Sequence, residues 1–119
     1  MKLRTALLTI GLLAAATVNA QTGPVKVVGG ILVGAKDMTL YTFDKDAGGK
    51  SVCNGACATN WPPLMAEGTV AGDYSTITRD DGKAQIAYKG KPLYYWVKDT
   101  KAGDTTGDNV NNTWHTAKP

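Results

Sequence analysis

The stretch LYTFDKD at residues 40–46 recurs 53 positions later as LYYWVKD at residues 93–99. In both copies a leucine precedes a tyrosine, a second aromatic residue follows two positions later, and a lysine–aspartate pair closes the motif. Trp61 recurs as Trp114 at the same offset, so the register of the repeat continues beyond the motif. Self-similarity at a fixed spacing is typical of a duplicated supersecondary unit. We therefore predict a domain built from two related halves.

Short strands separated by turns dominate the rest of the chain. Runs of β-branched and aromatic residues alternate with polar ones, which is typical of half-buried strands. Residues 80–83, DDGK, predict a hairpin because Asp and Gly tolerate positive φ. The predicted strands cover residues 26–28, 31–33, 38–43, 74–78, 84–88, 93–97 and 114–116. We predict a small all-β, antiparallel domain over residues 21–119, with one short helical turn near the cysteines and repeats at about 31–65 and 84–118.

The first twenty residues have the features of a secretory signal peptide. Lys2 and Arg4 precede an apolar run, and residues 18–20 supply the small side chains that a signal peptidase reads. We expect cleavage before Gln21, and because no cysteine stands there we expect no lipid anchor. No stretch approaches the roughly 20 apolar residues that a membrane-spanning helix requires. The sequence thus predicts a periplasmic or secreted protein without a transmembrane segment.

The mature chain is nearly neutral. Removing the leader lowers the formal net charge from +3 to +1, because Lys2 and Arg4 are its only charged residues. No sequence cluster of Lys and Arg remains that would indicate a nucleic-acid or anionic-lipid partner. We expect a monomer with one modest core, no nucleic-acid partner, no cofactor, and a ligand in the envelope or the medium that the sequence does not identify.

Cys53 and Cys57 are the two cysteines of the chain. In an exported protein such an even pair is most simply a disulfide. Residues four apart in a helical turn lie about 6 Å apart from Cα to Cα, which a disulfide accepts. The closed loop is short, so its entropy gives only about 2 kcal/mol of stabilisation. The alternative is a copper-binding or redox site in which Cys53, Cys57 and His115 act as the soft ligands that Cu(I) prefers.

The duplicated aromatic residues have two interpretations. In the first, alternate members fill the core while the others stack across strands, where aromatic pairs favour sheet formation. In the second, they line a ligand-binding groove. The tripeptide at 94–96 has aromatic residues on both faces of a strand, so at least one side chain points away from the core. If there is a binding surface, we expect it around Tyr94, Tyr95, Trp96 and Trp114.

Asp46 and Asp99 close the two copies of the motif. A carboxylate at the exit of a strand accepts hydrogen bonds from loop N–H groups, and we favour this role of loop anchor. A catalytic pair would require the two carboxylates to converge in one cleft. His115 is the only histidine, and no Ser or Cys lies in a strand–turn–helix nucleophile context. We therefore predict that the protein is not an enzyme and has no catalytic residue.

The repeated motif also carries a resemblance to a known family. Both copies fit the pattern Y-x-[FWY]-x-x-D, whose fixed positions are Tyr41, Phe43, Asp46, Tyr94, Trp96 and Asp99. With its C-x-x-x-C segment and its closing tryptophan, the chain resembles small bacterial exported proteins and lipoproteins described as a secreted repeat of unknown function. The resemblance covers about residues 31–116. It implies an envelope or secreted location and no known activity, so we expect a non-catalytic binding or structural module.

Overall fold

A computed structural model of the protein describes residues 24–119. The predicted signal peptide at residues 1–20 lies outside the described residues. The elements are β1 Lys26–Val28, β2 Ile31–Val33, β3 Tyr41–Phe43, α1 Ala56–Asn60, β4 Tyr74–Thr78, β5 Ala84–Tyr88, β6 Lys91–Pro92 and β7 Trp114–Thr116. Strands far outnumber helical residues and all their pairings are antiparallel, so the predicted fold class is confirmed. The one α-helix of residues 24–119 follows Cys53, where a helical turn was predicted.

Over the described residues the strands form three small sheets, one of which joins the two halves. β1 pairs with β2, and β4, β5 and β6 form a three-stranded sheet in that order. The third sheet pairs β3 of the first half with β7 of the second half. In it, Thr42 lies opposite His115 and Phe43 lies opposite Trp114. The motif strand of the first half is therefore completed by the last strand of the second.

The strand predicted at residues 93–97 is wrong in its position. The regular ladder ends at Pro92, and the next three residues each bond to a different segment. Leu93 N–H donates to Ile86 O, Tyr94 N–H donates to Tyr41 O, and Tyr95 N–H donates to Pro62 O. Because the partner changes at every residue, no continuous strand forms. The strand predicted at 38–43 is shortened to β3 for the same reason, since Leu40 N–H donates to Leu32 O.

Two rings of three backbone hydrogen bonds hold the aliphatic part of the core, with N···O distances of 2.8 to 3.1 Å. The rings comprise Leu32, Leu40 and Ala117 in one case and Ile86, Leu93 and Leu64 in the other. Leu40 matches Leu93 and Leu64 matches Ala117 at the offset of 53, whereas Leu32 matches Ile86 at 54. Each ring therefore contains two residues of one half and one of the other.

The core has a second, aromatic part beside the aliphatic one. It is formed by Tyr41, Cys53, Trp61, Tyr94 and Trp114, which are all buried. The repeated motif places its leucine in the aliphatic part and its tyrosine in the aromatic part, because successive residues of an extended chain point to opposite sides. The duplicated sequence thus builds two layers of core at once.

Candidate functional site

The motif tyrosines meet in the middle of the molecule. Tyr41 N–H donates to Tyr94 O at 2.8 Å, and Tyr94 N–H donates to Tyr41 O at 3.0 Å. Both side chains are fully buried. Such a reciprocal pair between equivalent residues is the arrangement of two halves related by an approximate two-fold axis.

Each motif tyrosine donates its hydroxyl to the aspartate of the other copy. Tyr41 Oη lies 2.6 Å from Asp99 Oδ2, and Tyr94 Oη lies 2.6 Å from Asp46 Oδ2. Hydrogen bonds to an ionised acceptor are shorter and stronger than neutral ones. The tyrosine–aspartate pairs therefore join the two halves through short hydrogen bonds of the strong, charge-assisted kind. This exchange between copies was not foreseen from the sequence.

The second oxygen of each carboxylate holds the loop that follows it. Asp46 Oδ1 accepts from Val52 N–H at 2.8 Å. Asp99 Oδ1 accepts from Thr106 N–H at 2.9 Å and from the Thr106 hydroxyl. Each aspartate thus makes the loop contact expected from the sequence, in addition to its bond to a tyrosine.

Burial governs the protonation of this cluster. Desolvation raises the pKa of Tyr41 and of Tyr94 far above the ordinary value of 10, and the adjacent carboxylates add to the rise. Burial also raises the pKa of Asp46 above 3.8, although the hydrogen bonds from Tyr94 and Val52 oppose that rise. The tyrosines therefore remain proton donors to the aspartates at neutral pH, and neither is poised to ionise.

A buried guanidinium extends the network on the Asp46 side. Arg79 Nη1 donates to Ser51 Oγ and to Gln85 Oε1, both at 2.9 Å, and Nη2 donates to Cys53 O at 2.7 Å. The Ser51 hydroxyl in turn shares a hydrogen bond with the Tyr94 hydroxyl. Arg79 thereby ties the loop that holds the disulfide to the β4–β5 hairpin. The sequence analysis missed this residue, although it is the only arginine after Arg4.

Four aromatic rings form a continuous stack through the aromatic core. Phe43 lies on Trp114 at 4.1 Å between centroids, Trp114 lies on Trp61 at 3.8 Å, and Trp61 lies on Trp96 at 3.9 Å. The two central rings are parallel to within 1°. The order of the stack is symmetric under the repeat, since Phe43 corresponds to Trp96 and Trp61 corresponds to Trp114. In each half, the tryptophan and the second aromatic residue of the motif thus pack against other aromatic rings.

Comparison with protein families matches residues 25–65 and 75–118 to a family described as a secreted repeat of unknown function. The chain belongs to this family. The two matched segments each contain one copy of the motif and its tryptophan. No curated protein and no solved structure matches the chain. Over residues 24–119, this secreted-repeat protein has no helix long and apolar enough to cross a membrane.

Cys53 and Cys57 form a disulfide with 5.2 Å between their Cα atoms, as predicted. The copper-binding alternative for this secreted-repeat protein would require both thiolates, and in the bridged pair neither is present. His115 is engaged elsewhere, with Nε2 2.8 Å from Asp44 Oδ2. In the part of the chain that the structure describes, no group of three or more His, Cys, Asp or Glu side chains is placed to hold a metal ion.

The four aromatic residues suggested as a binding surface are not equally accessible. Tyr94 and Trp114 are buried in the aromatic core. Tyr95 packs against the aliphatic core, and its hydroxyl accepts from Ala35 N–H at 2.9 Å. Trp96 is partly exposed at the end of the stack, with the Lys98 ammonium 5.8 Å from its ring centroid. Ligand binding at the exposed edges of Tyr95 and Trp96 stays a prediction.

Proposed function

We propose that this secreted-repeat protein is exported by a cleaved signal peptide to the periplasm or the medium and acts there as a non-catalytic binding or structural module of the bacterial envelope. The secreted-repeat family to which the chain belongs supports the location. The N-terminal basic, apolar and small-residue pattern supports cleavage before Gln21. A local disulfide suits an oxidising compartment.

The observation that carries the non-catalytic assignment is the exchange of tyrosine–aspartate bonds between the two motif copies. A general base needs a lone pair directed at a substrate proton. Here each carboxylate has one oxygen bound to a tyrosine hydroxyl and the other bound to a loop N–H group. The groups that the repeat duplicates are therefore occupied in holding the fold together.

Export is tested by expressing the full chain with a C-terminal tag and fractionating the cells. We expect the periplasmic or medium fraction to contain a protein whose N-terminal residue is Gln21, as read by intact-mass and peptide analysis. A chain that keeps its leader and remains in the cytoplasm would contradict export.

The non-catalytic assignment is tested with Asp46→Asn and Asp99→Asn. For a structural motif, both variants lose stability, and any cellular defect follows that loss and recovers at lower growth temperature. Asp73→Asn is the matched control, since Asp73 is exposed on the surface. An aspartate variant with unchanged stability and a complete cellular defect would show that the carboxylate does more than hold the fold together, and the structural role assigned to the motif would fail.

A further inference from the structure

A cleft of about 360 Å³ opens on the face of the β3–β7 ladder opposite the aromatic stack. Successive side chains of a strand point to opposite faces of the sheet. The paired residues Thr42 and His115 therefore lie on the other face from the neighbouring pair Phe43 and Trp114, which belongs to the aromatic stack. The side chains used below line this cleft and are Thr42, Asp44, Tyr88, Lys91, His115 and Lys118.

The equivalent space in the other half is filled by a tyrosine. Thr42 corresponds to Tyr95 in the repeat. The Tyr95 ring packs against the aliphatic core, and its hydroxyl reaches the backbone at Ala35. The fit there is close, because a Cβ built on Gly34 would lie 2.4 Å from Tyr95 Oη. The half that carries Thr42 has no side chain of comparable size at this position.

The wall facing Thr42 does not fill the gap either. Gly34 lies two residues beyond Leu32, and Tyr88 lies two residues beyond its ring equivalent Ile86. Tyr88 is therefore the residue of the second half that corresponds to Gly34 of the first. Its ring does not fill the cleft, because it packs on Tyr74 with 5.0 Å between the ring centroids. The cleft is thus the open counterpart of a site that the other half closes with its own side chain.

The charges around the cleft favour an anionic ligand. Asp44 is already paired with His115. Within residues 24–119, neither Lys91 nor Lys118 has a carboxylate within salt-bridge distance. Asp46 lines a smaller adjoining cleft, where its carboxylate is held by a tyrosine hydroxyl and a loop N–H. Two lysines without an ion-pair partner therefore line this opening, and the carboxylate that lines it with them, Asp44, is held by His115.

We propose that this cleft binds an oxyanion, a phosphate or carboxylate group carried by an envelope polymer, between the ammonium groups of Lys91 and Lys118. The inference rests on the proposed function, because it assigns a ligand class to the binding module. Ammonium–oxyanion hydrogen bonds are the strong, charge-assisted kind. Thr42 also lines the cleft and carries a hydroxyl that can act as a neutral donor. The sequence conceals the site because its two lysines lie far apart along the chain.

The test is a titration of the ¹⁵N-labelled protein at low ionic strength, followed by NMR. Inorganic phosphate represents phosphate polymers and glucuronate represents acidic glycans. We expect saturable shifts of the amides at Thr42, Lys91 and His115, and the tighter of the two probes indicates the source of the natural ligand. The absence of saturable shifts with both probes would overturn the proposal.

Charge-matched variants separate the cleft from general surface attraction. Lys91→Gln with Lys118→Gln should weaken binding at least about tenfold, since two charge-assisted contacts are lost. Lys36→Gln with Lys83→Gln removes two exposed lysines outside the cleft and should change affinity less than about twofold. Equal weakening in both double variants would mean that binding follows net charge, and the site would be rejected.

A third variant fills the cleft instead of changing its charge. Thr42→Tyr copies the residue that closes the other half, so it should abolish the shifts while both lysines remain. Retained binding in a folded Thr42→Tyr protein would contradict the proposed location. Loss of the anion site leaves an exported, folded, non-catalytic module in place. Chemical conversion of glucuronate by the protein, followed in one-dimensional ¹H spectra of the same samples, would instead overturn the proposed function.

Discussion

At the scale of single residues, the buried tyrosine hydroxyls decide how firmly the halves are joined. We expect Tyr41→Phe and Tyr94→Phe each to lower the free energy of unfolding by roughly 1.5–3 kcal/mol, because each leaves a carboxylate, buried at Asp99 and half-buried at Asp46, with one donor fewer. Urea denaturation followed by tryptophan fluorescence measures the loss. Tyr74→Phe is the control and should change the free energy of unfolding by less than about 0.5 kcal/mol.

A double-mutant cycle shows whether the stability lost in Tyr41→Phe comes from the hydrogen bond between Tyr41 and Asp99. Asp99→Asn is combined with Tyr41→Phe, and the coupling energy is expected to exceed about 0.5 kcal/mol because the two groups are in contact. Simple additivity would mean that the hydroxyl is stabilised by Gly107 N–H, its other partner at 3.1 Å, and that the aspartate contributes little to it.

The same hydroxyls should make the fold sensitive to alkali. Burial raises the pKa of Tyr41 and Tyr94 above 10, so the folded protein retains protons that the unfolded chain releases. Their contribution is therefore full below pH 10, and stability falls as the pH rises above this value. Denaturation at increasing pH measures the decline, which should be shallower in Tyr41→Phe. Reversible ionisation of both residues near pH 10 in the folded protein would contradict the prediction.

The sequence predicted some residue roles and missed others, and the difference is physical. The disulfide depends on compartment and spacing, and the loop anchors depend on neighbours within seven positions. These are local properties that can be inferred from the chain. The bonds from each tyrosine to the aspartate of the other copy, and the buried Arg79, depend on how the two halves dock. No local pattern contains that information.

At the scale of elements, the hairpins were predicted to the residue and the motif segments were not. β4 and β5 pair with each other through a short turn, so their register follows from sequence signals alone. Residues 93–97 keep the alternation of a strand but bond to three different segments in succession. The alternation of side chains in the sequence indicates which face each residue lies on. It does not indicate whether successive residues bond to the same partner strand.

The aromatic stack rests on the absence of a side chain at Gly107. A Cβ there would lie 2.8 Å from Trp61 Cη2 and 3.0 Å from Trp96 Cδ1. We expect Gly107→Ala to cost about 1–3 kcal/mol of unfolding free energy through this overlap, measured by thermal or urea denaturation. The penalty should shrink in a Trp96→Leu background, where one of the crowded rings is absent. An unchanged stability would show that the stack can shift without cost.

At the scale of the whole molecule, the two halves are interlocked in addition to being similar. The β3–β7 sheet, the two hydrogen-bonded rings and the tyrosine–aspartate pairs all combine groups from both halves. The repeat in the sequence correctly predicted the duplication. It could not indicate this exchange, because two independent copies placed side by side would give the same pattern of residues.

The exchange leads to a prediction about fragments of the chain. A fragment of residues 21–70 would keep the disulfide and β3 but would lack β7, the Tyr94 hydroxyl that donates to Asp46, and half of the stack. A fragment of residues 71–119 would lack the corresponding partners. We expect each fragment alone to be unfolded by circular dichroism, because a repeat that cannot bury its apolar face alone gains little from folding.

Mixing the two fragments in equal amounts should restore the near-ultraviolet signal of the stacked tryptophans, with Tyr94→Phe in the second fragment weakening the association. If either fragment folded alone, the hydrogen bonds between the halves would not be required for folding, and the conclusion that each half depends on the other would be wrong.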